Sequence, residues 1–164
     1  MQSEIKNIIG QMKAMQKGGA WHGNSLEEAL KGLDNKTAAK IPFEGAHSIW
    51  EYILHLSAWR QFALDKIKGN TEAEIIIGGA LDWPTIEHKD HESWERAKDH
   101  LAHTSKELQE VLAQEEVKLL REKVSGKDYS FYILLHGIVQ HDAYHCGQIV
   151  LSRKILAQIP ESRE

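Results

Sequence analysis

The sequence predicts an all-α protein folded as a four-helix bundle. Three observations carry that prediction. Four stretches place apolar residues at intervals of three and four, no segment shows the sustained apolar/polar alternation of a half-buried strand, and the connector over residues 70–90 is too long for a tight helical hairpin. Such a connector implies a crossover between the second and third long helices, which would then run parallel. At 164 residues, 41% hydrophobic and 27% charged, the chain fits one domain over 1–164.

The first helix is expected over roughly residues 3–17, where Ile5, Ile8, Met12 and Met15 share one face and Gly18-Gly19 ends the pattern. Ser25-x-x-Glu28 is a capping box that opens a short helix ending near Gly32. The second long helix, about 46–68, carries a broad stripe of Ile49, Tyr52, Ile53, Leu56, Trp59, Phe62, Ala63 and Ile67. Residues 70–90 are irregular, with 73–77 open to a short strand, and they could cover a site. The third helix, about 88–114, uses Trp94, Ala97, Leu101, Thr104, Leu108 and Val111. After a charged connector the fourth, about 129–158, repeats the stripe as Phe131, Leu134, Leu135, Ile138, His141, His145, Ile149 and Leu156. Gly137 and Gly147 within it cost about 1 kcal/mol each relative to Ala, so close backbone packing is expected there.

Charge and composition narrow the partners. Against 24 Asp plus Glu stand 20 Lys plus Arg, a net charge of −4, with no basic block to neutralise a phosphate backbone, so nucleic acid is not an expected partner. The opening MQSEIKNIIGQMKAM lacks the apolar core of a signal peptide, and no run approaches the length of a membrane span. Cys146, the single cysteine, cannot form an internal disulfide, which suits a reducing, cytoplasmic setting.

Ten histidines are spread along the chain. His141 and His145, four apart on one helix, project side by side with Cβ atoms about 6 Å apart, and both fall on the inward stripe. Two buried imidazoles without partners would each cost about 1–3 kcal/mol, which coordination to a metal removes. For the pair alone, hydrogen bonds to neighbouring helices account for the pattern as well as a metal does. His55, on the apolar surface of the second long helix between Tyr52 and Trp59, is a third candidate. Three histidines with an open position describe a catalytic rather than a closed structural metal site. Asp142 and Gln148 are candidates to orient His145, with solvated polar residues as the alternative, and His47 is a candidate neighbour of the same cavity or an exposed residue at the helix start. Cys146 points about 100° away from His145 and His136 about 140° from His141, so neither joins the set. His88, His91, His100 and His103 fall on or near a polar face, and the pattern leaves His22 undecided. The segment His141-Asp-Ala-Tyr-His145 has Asp where a zincin protease needs Glu, which excludes that reading. Trp50, Trp59, Trp83 and Tyr144 could wall a substrate cavity or belong to the core.

Taken together, Trp21-His-Gly, the run Gly45-Ala-His-Ser-Ile-Trp-Glu-Tyr-Ile-Leu-His55-Leu-Ser-Ala-Trp59, and Leu135-His-Gly-Ile-Val-Gln-His141-Asp-Ala-Tyr-His145-Cys-Gly-Gln148 make the chain resemble the DinB-like superfamily. The resemblance implies an up-down-down-up four-helix bundle, commonly a homodimer. It also implies a divalent metal, typically zinc or nickel, held by His55, His141 and His145. Members include enzymes that use low-molecular-weight thiols and proteins described as metal-dependent hydrolases, so the implied activity is hydrolysis or thiol transfer on a small molecule. A stress-associated protein that binds metal or ligand without turnover is the alternative, and an accessible cavity at the site is what separates the two. Histidine ligation further predicts that metal affinity falls below a pH of about 6.5. Trp50, Leu54 and Leu64 widen the apolar arc of the second helix, so the residue 20–45 segment is expected to cover part of it and a partner copy the rest.

Overall fold

Apolar spacing and helix caps together set the element boundaries in the computed structural model, which describes residues 4–158. Ser3 of the first expected helix and both ends of the 1–164 domain lie outside the described residues. The helices are α1 (Glu4–Lys17), α2 (Leu26–Leu30), α3 (Asn35–Ala38), α4 (Ile49–Ile67), α5 (His91–Leu112) and α6 (Phe131–Leu156), with a 3-10 turn at Val117–Arg121. Among the described residues there is no strand: 73–77 is irregular chain, and the only bridge pairs Lys123 with Ser130. No described helix is long and apolar enough to cross a membrane.

Caps explain where α4 and α5 start. The Ser25 box is present, and α4 begins at Ile49 rather than at residue 46 because a second box precedes it. Ser48 Oγ accepts from the Glu51 amide at 3.2 Å, and the Ser48 amide donates to Glu51 Oε2 at 2.7 Å. Asp90 accepts from the Ser93 amide at 2.8 Å and fixes the start of α5. Asp34 caps the unexpected α3 through the Thr37 amide at 2.7 Å. Each cap contributes about 1 kcal/mol.

α1 packs against α5 and α6, and α4 packs against the same two. The core forms two apolar clusters. One gathers Met15, Leu30, Ile53, Leu56, Trp94, Leu101 and Ile149, and the other Ile8, Met12, Phe62, Leu108, Leu135 and Ile138. Between them along the helices lies a buried polar group centred on Arg60. Its guanidinium donates to Asp142 from Nη2 at 2.9 Å, and from Nη1 to Gln16 Oε1 at 3.0 Å and the Leu101 carbonyl at 2.9 Å. One side chain of α4 thus bonds to α1, α5 and α6.

Two packing expectations have different outcomes. Trp50 and Leu64 are buried within the chain, Trp50 against Trp94 with ring centroids 5.2 Å apart, and Leu54 packs half-buried on the same cluster. Leu26, Leu30 and Ala38, from the 20–45 stretch expected to cover part of the arc, share a cluster with Trp50 and Leu54, whereas Leu64 packs in the other cluster with Ile8 and Met12. A Cβ added at Gly137 or Gly147 would meet no atom within 4 Å, so close backbone packing accounts for neither glycine.

Candidate metal centre

His55 enters from α4 and His141 and His145 from successive turns of α6, all inward as their helical phase requires. His141 Nε2 lies 2.9 Å from His55 Nε2 and 3.1 Å from His145 Nε2. The three are the one described group of His, Cys, Asp and Glu side chains able to hold a metal ion, with ligand atoms within 4.8 Å of one another.

Hydrogen-bond partners fix the tautomers. His55 Nδ1 faces two oxygens of Asp82, the carbonyl at 2.5 Å and Oδ1 at 3.2 Å, so Nδ1 carries the hydrogen and Nε2 a lone pair. His145 Nδ1 donates to Gln148 Oε1 at 2.5 Å with the same result. Both lone pairs converge on His141 Nε2, which has at most one hydrogen to offer them, while His141 Nδ1 is buried with no partner. Converging imidazole lone pairs are a cation site. Two nitrogens on one tetrahedral zinc stand about 3.3 Å apart, given Zn–N of about 2.05 Å. The two spacings from His141 are slightly tighter and all ligand atoms lie within 4.8 Å of one another, so the residues fit such an ion with modest side-chain adjustment.

Electrostatics keep these rings neutral. Burial, helped by the neighbouring imidazoles, lowers the His141 pKa to about 3, and burial followed by His55 lowers His145 to about 4. Burial also lowers His55, against the opposing pull of Asp82.

Asp82 and Trp83 come from the irregular 70–90 connector, which therefore does cover the site. Asp82 is buried, and its Oδ1 also accepts from Trp59 Nε1 at 2.8 Å while Oδ2 accepts from the Gly78 amide at 2.8 Å. Trp83 stacks on His55 at 3.9 Å between centroids, and His47 stacks on its other face at 3.5 Å. His47, just before the α4 cap, thus supports Trp83 and makes no hydrogen bond to the three histidines. Asp82 and Trp83 went unassigned as partners of His55 at the sequence level, because no periodicity orients a side chain in irregular chain.

Asp142 takes a different place from the one expected. It is neither solvated nor bonded to His145; both of its oxygens bond to Arg60. Burial raises its carboxyl pKa and the guanidinium opposes that shift. Arg60 and Asp142 each lie one turn from apolar core residues, Leu56 and Ile138, and opposite charges on two buried stripes are the signal that pairs them.

A chamber of about 380 Å³ opens beside the centre, with His55 and His141 in its wall next to Trp59, Leu134 and Ile138. Trp50 is core instead, and Tyr144 is exposed, its ring 4.9 Å from His145. His88, His91, His100 and His103 are exposed, His136 bonds to Glu4, and His22 is exposed near Met15 Sδ at 2.7 Å. Cys146 is buried and donates to the Asn24 carbonyl at 3.2 Å, away from the centre.

The model of the DinB superfamily matches residues 20–149, a span that contains all three histidines, Asp82 and Gln148. Comparison with curated proteins and with solved structures returns no match.

Proposed function

The chain belongs to the DinB superfamily, and from that premise we propose that it is a metal-dependent enzyme acting on a small molecule, with His55, His141 and His145 as ligands of a divalent zinc or nickel ion. The observation that carries the reading is the convergence of the three Nε2 atoms, two of them held as lone pairs by Asp82 and Gln148. A divalent ion held there would supply Lewis acidity to a water, for hydrolysis, or to a low-molecular-weight thiol, for transfer. The chain's own part is positional. Asp82 and Gln148 hold two ligand tautomers, Trp83 fixes the plane of His55, and apolar walls keep bulk water from part of the site. An accessible chamber at the histidines favours the enzyme over a protein that binds without turnover.

The reading includes an up-down-down-up bundle in the cytoplasm. In support of that topology, α4 and α5 each pass from the Leu56 and Leu101 cluster to the Phe62 and Leu108 cluster, while α1 and α6 pass the other way. It also includes a homodimer, through a surface other than the buried residues of α4. The test is turnover by metal-loaded and metal-free protein on ester and amide substrates, and on electrophiles with bacillithiol, glutathione or mycothiol. Metal-dependent turnover that His141→Ala abolishes is expected. A fully loaded protein that turns over none of them overturns the enzyme reading in favour of binding.

A further inference from the structure

Gly137 sits inside α6, about two turns from its start, where glycine costs about 1 kcal/mol relative to Ala. Backbone geometry does not call for it, since its φ is not positive, and packing does not, since a Cβ there would meet nothing within 4 Å. What Gly137 does face is the chamber beside the three histidines, whose wall it shares with His55, His141 and Trp59. Any larger side chain would stand in that chamber.

The chamber's chemistry is as informative as its floor. No lysine or arginine lines it. Its one carboxylate, Asp82, has both oxygens engaged, by Trp59 and His55 on one side and by the Gly78 amide on the other. Ile77 and Ile133, 85% and 57% exposed, extend the apolar wall out to the mouth. An anion entering this space would lose its hydration and meet no cationic side chain, whereas an aromatic or branched aliphatic group would gain from desolvation alone. A dry cavity of about 150 Å³ takes one benzene ring, so about 380 Å³ takes a group of one to two rings.

We propose that this chamber is the specificity pocket of the site: it receives the uncharged aromatic or branched aliphatic part of a substrate whose heteroatom reaches the histidines, and Gly137 keeps it open. The inference rests on the enzyme reading above and adds the substrate class. It also assigns charged groups, such as the carboxylates of a cosubstrate thiol, to the region outside the chamber.

Fluorine NMR titration tests it with two probes of one ring each, 4-fluorobenzyl alcohol and 4-fluorobenzenesulfonate, on chelator-stripped protein, where no bound ion attracts the sulfonate, with metal uptake measured separately on the same preparation. The alcohol should bind with a Kd of about 1 mM or tighter and the sulfonate at least about ten-fold more weakly. Gly137→Leu should weaken the alcohol by about ten-fold or more. Gly137→Ala, which suits the helix in any case, should weaken it by about three-fold. Gly147→Leu, an equally open glycine on the same helix but away from the chamber, should leave binding unchanged. Equal binding of both probes, or a folded Gly137 variant that binds the alcohol like the original chain, overturns the pocket assignment. If the protein holds metal but fails this test, the pocket alone is wrong. If it discriminates the probes yet never takes up metal, the metal reading falls and the pocket stands.

Discussion

Replacing Asp142 with Asn separates a role at the histidines, expected from the sequence, from the role at Arg60 that the structure shows. As an orienting partner of His145 it would act on metal affinity, by about 10–100-fold. In the structure both carboxylate oxygens bond to Arg60, and both side chains are 2% exposed. Asp142→Asn therefore leaves a buried guanidinium without its counter-charge. Breaking a buried pair in this way costs about 3–5 kcal/mol, and the lower end applies because the amide oxygen keeps one acceptor and Gln16 and Leu101 still bond to Nη1. At about 2–4 °C per kcal/mol for a domain of this size, the expected loss is about 6–12 °C in Tm. Calorimetric melting of the metal-free protein measures it, and metal titration of the folded variant should give an affinity within about two-fold of the original. The double variant Arg60→Met/Asp142→Leu should recover much of the loss, since an apolar pair removes both buried charges. A Tm within about 2 °C of the parent, or a ten-fold loss of affinity in a variant that melts normally, would refute the reasoning and return Asp142 to the histidines.

Asp82→Asn should lower metal affinity by about 10–100-fold, because it removes the charge beside His55 Nδ1, and calorimetric titration reads the change. The histidine pKa values of about 3 and 4 set the pH behaviour. Their folded values lie below the unfolded value of about 6.5, so the stability they permit is full above that value and is lost as pH falls toward 4, where the unfolded chain takes up protons that the folded chain refuses. Metal-free protein should accordingly show a Tm that declines from pH 6.5 to 4.5, while the metal affinity of folded protein stays within about three-fold between pH 5.5 and 7.5. This replaces the fall below 6.5 expected of unperturbed histidines, and a ten-fold loss over that interval contradicts the burial argument. Sedimentation equilibrium at micromolar protein should give about twice the 18.7 kDa chain mass; a monomer at that concentration removes the dimer.

The parts of this account that sequence made legible are those governed by helical phase. Four apolar stripes, the Ser25 capping box and the inward direction of His141 and His145 all follow from a repeat of about 3.6 residues and local hydrogen bonding. His55 was legible for the same reason. The Ser48-x-x-Glu51 box was equally present as a signal, and it moves the start of α4 and leaves His47 outside the helix. Asp82 was not legible, and Trp83 only as one of several aromatics that could wall a cavity, since their positions depend on how an irregular connector folds back over α4, and nothing periodic encodes that. The role of Asp142 needed a partner on another helix. Its phase alone places it on a buried stripe, and only the charge of Arg60 on the facing stripe says why a carboxylate sits there. Trp50 and Leu64 mark the limit of phase alone: it shows an arc wider than one seam but not which segment covers each residue, and Trp50 packs with residues 26–38 while Leu64 packs in the cluster of Ile8 and Met12.

The central claim is that His55, His141 and His145 together hold one divalent ion, and metal titration of chelator-stripped protein tests it most directly. Zinc or nickel should bind at about one equivalent per chain, and His55→Ala, His141→Ala and His145→Ala should each abolish that binding while His100→Ala and His103→Ala retain it. A chain that takes up no transition metal after reloading, or a folded His141→Ala variant that still binds a full equivalent, contradicts the account.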